Sequence, residues 1–165
     1  MTTLEELLTG REERAAVQSS LLNNSDYVCQ ISLNISGLPK RIENDKEAVS
    51  KYASKFCTLF ARGMTERREL VNGAGFAVLM GFIGDAVKAK HAAAELEENT
   101  PAGRAFDIDI ITKDGSISRT TLGLPERKCL LCGRNAKRCA RERTHGAEEL
   151  REAIHKLLQE AVRFF

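Results

Sequence analysis

The chain has 165 residues, of which 42% are hydrophobic and 29% charged, and its formal net charge is +2. This length and composition are typical of one soluble globular domain, so we expect a single domain over residues 1–165. With no Trp, two Tyr and seven Phe, the chain lacks an aromatic platform for nucleic acid. A signal peptide and a run of about 20 apolar residues are also missing, which predicts a cytoplasmic protein with no membrane partner.

The first third of the chain predicts a helix, a strand and a second helix. Apolar residues recur at helical intervals over residues 4–22, where Gly10 predicts a break into two pieces. Alternation over residues 27–35 predicts a strand. A second helical stripe covers residues 45–64, and Asn44 or Asp45 can cap its first turn.

Two hairpins and another helix are predicted next. Asn72-Gly73 separates extended segments at residues 69–71 and 75–83. Asp85 can cap a helix that ends before Pro101, and a strand at 103–111 then turns at 113–115 into a partner at 116–121. The region after Pro125 reads as helical to the end.

This order of elements is that of a split βαβ, ferredoxin-like sheet. We therefore predict an α+β fold with a mostly antiparallel sheet, extended by an extra hairpin and flanked by N- and C-terminal helices.

The strand predicted at residues 103–111 carries two acids on one face. Side chains alternate along a strand, so Asp107 and Asp109 point the same way, about 6.5–7 Å apart, while Phe106, Ile108 and Ile110 face a core. Two like charges on one face repel each other, and bound Mg²⁺ would offset that repulsion. The alternative is an ordinary solvated strand face.

Basic residues are concentrated between Arg119 and Arg143, where eight Lys and Arg accompany two Glu. This segment has a net charge of +6, which leaves −4 for the rest of the chain. Such a concentration indicates a polyanionic ligand or an acidic partner, although a solvated helix face is the alternative. The chain contains no Walker A loop, no complete dinucleotide fingerprint and no G-x-S-x-G elbow, which disfavours the corresponding enzyme classes.

Three cysteines inside this segment and a histidine just after it have metal-binding side chains in a C-x2-C-x6-C-x5-H pattern: Cys129, Cys132, Cys139 and His145. They are close to what a structural Zn²⁺ takes. If Cys139 and His145 share one helix, however, their side chains lie about 120° apart, which favours buried thiols over zinc. A nucleophilic Cys with its pKa lowered by basic neighbours is the third interpretation.

Several motifs occur together in an order that resembles one enzyme family, the holo-acyl-carrier-protein synthases of citrate lyase, also called apo-citrate lyase phosphoribosyl-dephospho-CoA transferases. The motifs are Ser32-Leu33-Asn34-Ile35 followed by Lys40; Gly103-Arg104-x-x-Asp107-x-Asp109; Ile117-Ser118-Arg119 followed by Leu122-Gly123-Leu124-Pro125; Arg127-Lys128-Cys129-Leu130-Leu131-Cys132; and Cys139-Ala140-Arg141-x-Arg143-x-His145. The Gly103-Arg104-x-x-Asp107-x-Asp109 element is also similar to that of the analogous transferase of malonate decarboxylase.

The resemblance implies transfer of phosphoribosyl-dephospho-CoA from triphosphoribosyl-dephospho-CoA to a serine of the acyl carrier subunit of citrate lyase, with release of pyrophosphate. Asp107 and Asp109 would hold Mg²⁺, and Arg104 would bind a phosphate oxygen. His145 is a further candidate, as general base. The other expected substrate contacts are Gly103, Arg119, Arg127, Lys128, Arg141, Arg143 and Lys40.

Two alternatives remain open at this point. One is a related nucleotidyltransferase acting on another carrier, of the malonate decarboxylase type. The other is a non-catalytic, zinc-stabilised binding module in which the +6 segment docks an acidic partner.

Overall fold

A computed structural model describes residues 2–163 of the protein. Its α-helices are α1 (Leu4–Leu22), α2 (Asp45–Phe60), α3 (Ala86–Glu98), α4 (Ala136–Glu142) and α5 (Ala147–Arg163). Its strands are β1 (Tyr27–Leu33), β2 (Met64–Asn72), β3 (Gly75–Phe82), β4 (Phe106–Thr112) and β5 (Gly115–Ser116). Within the described range, no helix is long and apolar enough to cross a membrane.

The strands form one sheet in the order β2-β3-β1-β4-β5, and every neighbouring pair is antiparallel. Helix α2 connects β1 to β2, and α3 connects β3 to β4, which is the split βαβ arrangement. The predicted α+β class, the extra hairpin β4–β5 and the flanking helices α1 and α5 are confirmed.

The two faces of the sheet differ because successive side chains of a strand point in opposite directions. One face carries the main core, in which Ile31, Ile108 and Ile110 are fully buried together with residues of α2, α3 and α5. On the other face, α1 packs over a smaller apolar cluster that contains Val28 and Leu79. Asp107 and Asp109 belong to this second face, as their alternation predicts.

Helix α1 is continuous, so the predicted break at Gly10 is wrong. An added Cβ at Gly10 would lie 2.6 Å from Oδ1 of Asn72 and 2.7 Å from the backbone nitrogen of Ala74. The glycine therefore allows the β2–β3 hairpin to approach the helix closely. The helix begins in a capping box formed by Thr3 and Glu6.

Three other boundaries differ from the sequence prediction. Helix α2 ends at Phe60, and β2 already begins at Met64. The sequence did not indicate this start, because the edge strand is mostly exposed to solvent and lacks apolar alternation. Asn44 has a φ of 65° and makes no side-chain cap, while Asp45 pairs with Arg41. Strand β5 is only two residues long, although the predicted 113–115 turn is present.

Residues Ala102–Ala105 form a 3₁₀ helix, so β4 starts at Phe106 and not at Gly103. An added Cβ at Gly103 would overlap the carbonyl oxygen of Leu96 at the end of α3. Close packing against α3 therefore shapes this turn, and it places Arg104 immediately before the acid-bearing strand.

The C-terminal region is not one helical run. An antiparallel bridge between Lys128 and Asn135 precedes α4, and Arg143, with a φ of 48°, reverses the chain before α5. Cys139 and His145 consequently do not share a helix, and the angular argument against their convergence fails.

Candidate active site and cysteine cluster

A polar cluster occupies the α1-facing side of β1 and β4. Asp107 pairs with Ser32 in the strand register, and Asp109 pairs with Gln30. Side chains directly opposite each other in an antiparallel pair have Cβ atoms about 4.5–5.5 Å apart. Gln18 of α1 donates a 2.8 Å hydrogen bond to Oε1 of Gln30, so the helix closes one side of the cluster. Four oxygen-bearing side chains are thus gathered beside α1.

The environment disfavours the charged form of both carboxyl groups. Burial raises the pKa of Asp109 to about 6, and the negative charge of Asp107 adds to the shift. Burial also raises the pKa of Asp107, while the positive charge of Arg127 opposes this shift. Carboxylate, amide and hydroxyl oxygens are the ligands that Mg²⁺ prefers, so the donor set fits the expected magnesium ion.

Arg127 connects the basic segment to the acid pair. Its guanidinium forms an ion pair with Asp107 and donates hydrogen bonds to the carbonyl oxygens of Phe106 at 2.9 Å and Arg104 at 3.1 Å. Arg104 in turn donates to the carbonyl oxygen of Cys129 at 2.8 Å. These contacts dock the cysteine-containing segment against the start of β4.

Arg14 of α1 is a cation near the acid pair that the sequence interpretation missed. Only 9% of the residue is exposed; its Nη2 donates to the carbonyl oxygen of Ala74 at 2.7 Å, and its Nε has no hydrogen-bond partner within residues 2–163. Burial lowers the pKa of Arg14, whereas the charges of Asp109 and Asp107 raise it. Nothing in the periodicity of α1 distinguishes this arginine from its neighbours.

Lys40 lies in the loop between β1 and α2, where its Nζ donates to the carbonyl oxygen of Ile35 at 2.5 Å. Burial lowers the pKa of Lys40, and the charge of Asp107 acts in the opposite direction. The structure therefore brings this predicted substrate contact within electrostatic reach of the acid pair.

Arg119 is paired with two acids of α3. Its side chain, 9% exposed, forms ion pairs with Glu97 and Glu98 of α3. Glu97 is itself 5% exposed. It accepts a 2.8 Å hydrogen bond from the backbone nitrogen of Ile108, so the Glu97 side chain covers the outer edge of β4. Sequence reasoning missed Glu97, because a Glu on a helix gives no sign of being buried. The predicted contact between Arg119 and substrate stays a prediction.

A cavity of about 1010 Å³ lies between the residues just before β4 and the C-terminal region; Asp107 and Asp109 are not among its lining residues. Five of the predicted basic substrate contacts line it: Arg104, Arg119, Arg127, Lys128 and Arg143. Arg141 is exposed on α4 and does not line the cavity. The cavity is large enough for a nucleotide-sized ligand.

The four predicted metal-binding residues converge beside this cavity, and Cys129, Cys139 and His145 line it. The ligand atoms of Cys129, Cys132, Cys139 and His145 all lie within 4.8 Å of one another, and the sulfur atoms of Cys132 and Cys139 are 3.4 Å apart. All three thiols are free. The neighbouring His145 is the main cause that lowers the pKa of Cys132 to about 5.

Comparison with known proteins identifies the class and then the family. Residues 2–161 match the family model described as apo-citrate lyase phosphoribosyl-dephospho-CoA transferase, and this makes the protein a transferase. The chain belongs to the apo-citrate lyase phosphoribosyl-dephospho-CoA transferase family, so the resemblance read from the motifs is confirmed.

Individual relatives support this membership. The chain is 32% identical to the apo-citrate lyase phosphoribosyl-dephospho-CoA transferase of Escherichia coli O7:K1, covering 96% of this chain and 89% of the relative. It is 34% identical to a probable enzyme of the same name from Streptococcus pyogenes serotype M18, covering 94% and 84%. In Protein CitXG of Haemophilus influenzae, at 32% identity, the match covers 95% of this chain but 35% of that protein.

Proposed function

We propose that the protein transfers the phosphoribosyl-dephospho-CoA group of triphosphoribosyl-dephospho-CoA to a serine hydroxyl on the acyl carrier subunit of citrate lyase. The serine oxygen forms a bond to the first phosphorus of the triphosphate, the bond from that phosphorus to pyrophosphate breaks, and the hydroxyl proton passes to solvent. Family membership supports the reaction class. The acid pair of β4, surrounded by cations, is the observation that supports placing the reaction there.

The cations around the acid pair suit a triphosphate. Arg14, Lys40 and Arg127 reach the pair from three separate parts of the chain: α1, the β1–α2 loop and the segment before α4. The unpartnered Nε of Arg14 leaves a donor for a phosphate oxygen. A buried guanidinium binds phosphate strongly because its hydrogen bonds are charge-assisted.

Asp107 and Asp109 would hold Mg²⁺, with Gln30 and Ser32 as neighbouring oxygen ligands. When bound, the ion neutralises phosphate charge and polarises a phosphoryl oxygen. Ion pairing holds Arg127 beside Asp107, so in this proposal the same arginine also faces the phosphoryl group.

The remaining contribution of the chain is positioning. In this proposal Arg104 and Arg127 orient the phosphoryl group, and the cavity accommodates the nucleotide portion of the substrate. The nucleophile belongs to the carrier, so the chain needs no activated nucleophile of its own. Rate enhancement then comes from alignment and from charge stabilisation in a partly water-excluded site.

The direct test incubates the protein with triphosphoribosyl-dephospho-CoA, Mg²⁺ and apo acyl carrier subunit of citrate lyase. The carrier should gain the mass of the prosthetic group while an equal amount of pyrophosphate is released. The carrier subunit of malonate decarboxylase serves as the competing acceptor. Absence of any mass gain on the citrate lyase carrier would overturn the proposal, and preferential modification of the other carrier would redirect it.

Variants test the placement of the site. Asp107→Asn and Asp109→Asn should each lower turnover by at least ~10²-fold, equivalent to about 2.7 kcal/mol of transition-state stabilisation. Asp114→Asn is the matched control, because Asp114 is an exposed acid in the β4–β5 turn. Near-normal turnover in both site variants would show that the reaction does not take place at β4.

A further inference from the structure

The region between β4 and the second turn of α5 has almost no core of its own. From residue 111 to residue 153, the only buried nonpolar residues are Cys129 and Cys139. Helix α4 has seven residues, which is too short to be stable in water without tertiary support. A segment of this length needs another source of cohesion to keep one structure.

The backbone of this segment directs the four side chains toward one point. Gly133, with a φ of 72°, closes the turn that carries Cys129 and Cys132, and its nitrogen donates to the carbonyl oxygen of Cys129 at 3.2 Å. At the other end, the left-handed Arg143 ends α4, and the nitrogen of Thr144 donates to the carbonyl oxygen of Cys139 at 3.1 Å. This reversal of the chain places the His145 side chain next to the three thiols.

The spacing of the ligand atoms fits a tetrahedral metal ion. Arms of about 2.3 Å for sulfur and 2.0–2.1 Å for nitrogen place ligand atoms about 3.5–3.8 Å from one another around Zn²⁺. The observed separations reach 4.8 Å at most, so shifts of less than about 1 Å would bring the atoms into register. The Nε2 atom of His145 is buried without a hydrogen-bond partner in the described part of the chain, which is costly unless something binds it.

We propose that Cys129, Cys132, Cys139 and His145 form a closed structural Zn²⁺ site. Three thiolates and one imidazole are soft and borderline ligands, which select zinc over magnesium or calcium. Four protein ligands leave no open position for substrate or water, so the ion has a structural role and takes no part in the transfer.

The zinc site supports the candidate active site through short covalent and hydrogen-bonded links. Cys129 accepts the 2.8 Å hydrogen bond from Arg104, and Arg127, two residues earlier, pairs with Asp107. The ion therefore anchors the segment that delivers Arg127 to the start of β4 and supplies the carbonyl acceptor for Arg104. Zinc removal should loosen this segment while leaving the sheet and its main core folded.

Metal content tests the proposal without reference to activity. The full chain, expressed with added Zn²⁺ and purified under reducing conditions, should contain one zinc ion per chain. Cys139→Ser should lose it, retaining less than about a tenth of an equivalent. Cys57→Ser is the matched control, because Cys57 is a free cysteine on α2 outside the cluster, and it should keep its zinc.

A second measurement needs only the wild-type chain, in case Cys139→Ser does not fold. Replacement of zinc by Co²⁺ should give the absorption of a tetrahedral site with thiolate-to-metal charge transfer from three sulfur ligands. Wild-type protein that binds neither Zn²⁺ nor Co²⁺, or a Cys139→Ser variant that keeps its zinc, would overturn the proposal. A metal-free wild-type protein with a Cys132–Cys139 disulfide would also overturn it.

Discussion

Replacing Asp109 with Asn should stabilise the metal-free protein while it abolishes catalysis. In the folded chain burial and the neighbouring Asp107 disfavour the charge of Asp109 more than the nearby cations favour it, and its pKa is raised to about 6 from the ordinary 3.8. Asparagine has nearly the same shape and carries no charge. The variant therefore removes the repulsion and keeps the packing against Gln30.

The magnitude follows from the pKa and from Coulomb's law. Raising the pKa of Asp109 from 3.8 to about 6 corresponds to about 3 kcal/mol. This value is an upper limit, because water reaches part of the cluster. Two charges about 7 Å apart at an effective dielectric constant of about 20 repel each other by about 2 kcal/mol. We therefore expect Asp109→Asn to raise the free energy of unfolding by about 1–3 kcal/mol at about pH 7.5 without Mg²⁺.

The pH dependence has a definite sign. Between about pH 4 and 6, Asp109 is protonated in the folded protein but already ionised in the unfolded chain. The free energy of unfolding of the wild type therefore decreases as pH rises across this range to about 6. The gap between variant and wild type should consequently be largest above about pH 7 and shrink toward about pH 5.

Urea unfolding of both proteins at several pH values in EDTA, followed by circular dichroism, measures this gap. Added Mg²⁺ should stabilise the wild type and not the variant. Asp114→Asn, at the exposed β4–β5 turn, should show neither effect. A variant that is less stable than the wild type, or a gap that does not change with pH, would refute the electrostatic argument.

Three further substitutions test other parts of the structure. Arg119→Ala should destabilise the chain by up to about 3–5 kcal/mol in urea unfolding, because buried Glu97 loses its close ion-pair partner and keeps the more distant Arg127 at 4.0 Å; a fall in turnover without loss of stability would instead favour the predicted substrate contact. Gly10→Ala should destabilise by about 1–3 kcal/mol in thermal unfolding, although alanine is the better helix former, because the new methyl group meets the Ala74 nitrogen; unchanged or higher stability would contradict this contact. Arg14→Met should raise the KM for the triphosphate substrate about tenfold or more in steady-state assays, and an unchanged KM would remove Arg14 from the substrate site.

The acid-bearing strand was predictable because its signal is local. Alternation of Phe106, Ile108 and Ile110 with the two acids has a period of two, and the structure buries the three apolar residues as expected. The cap at Asp85 was predictable for the same reason, since its side chain accepts hydrogen bonds from Val87 and Lys88 only two and three residues away.

The failures came from long-range contacts and from one unusual backbone angle. Gly10 is required by a hairpin some sixty residues away, so its local reading as a helix breaker was wrong. Arg143 adopts a left-handed conformation without being glycine, and no sequence rule marks that position. The assumed single helix through Cys139 and His145 therefore concealed their convergence.

The sequence by itself determined the family, the order of elements and the face on which Asp107 and Asp109 lie, because motifs and periodicity are properties of short segments. Only the tertiary structure decided which cations surround that face and that four metal-binding side chains meet. Arg14, for example, donates to a carbonyl oxygen sixty residues away. Such pairings depend on how α1, the hairpin and the C-terminal segment pack on the sheet, and packing is set by the whole chain and not by any local pattern.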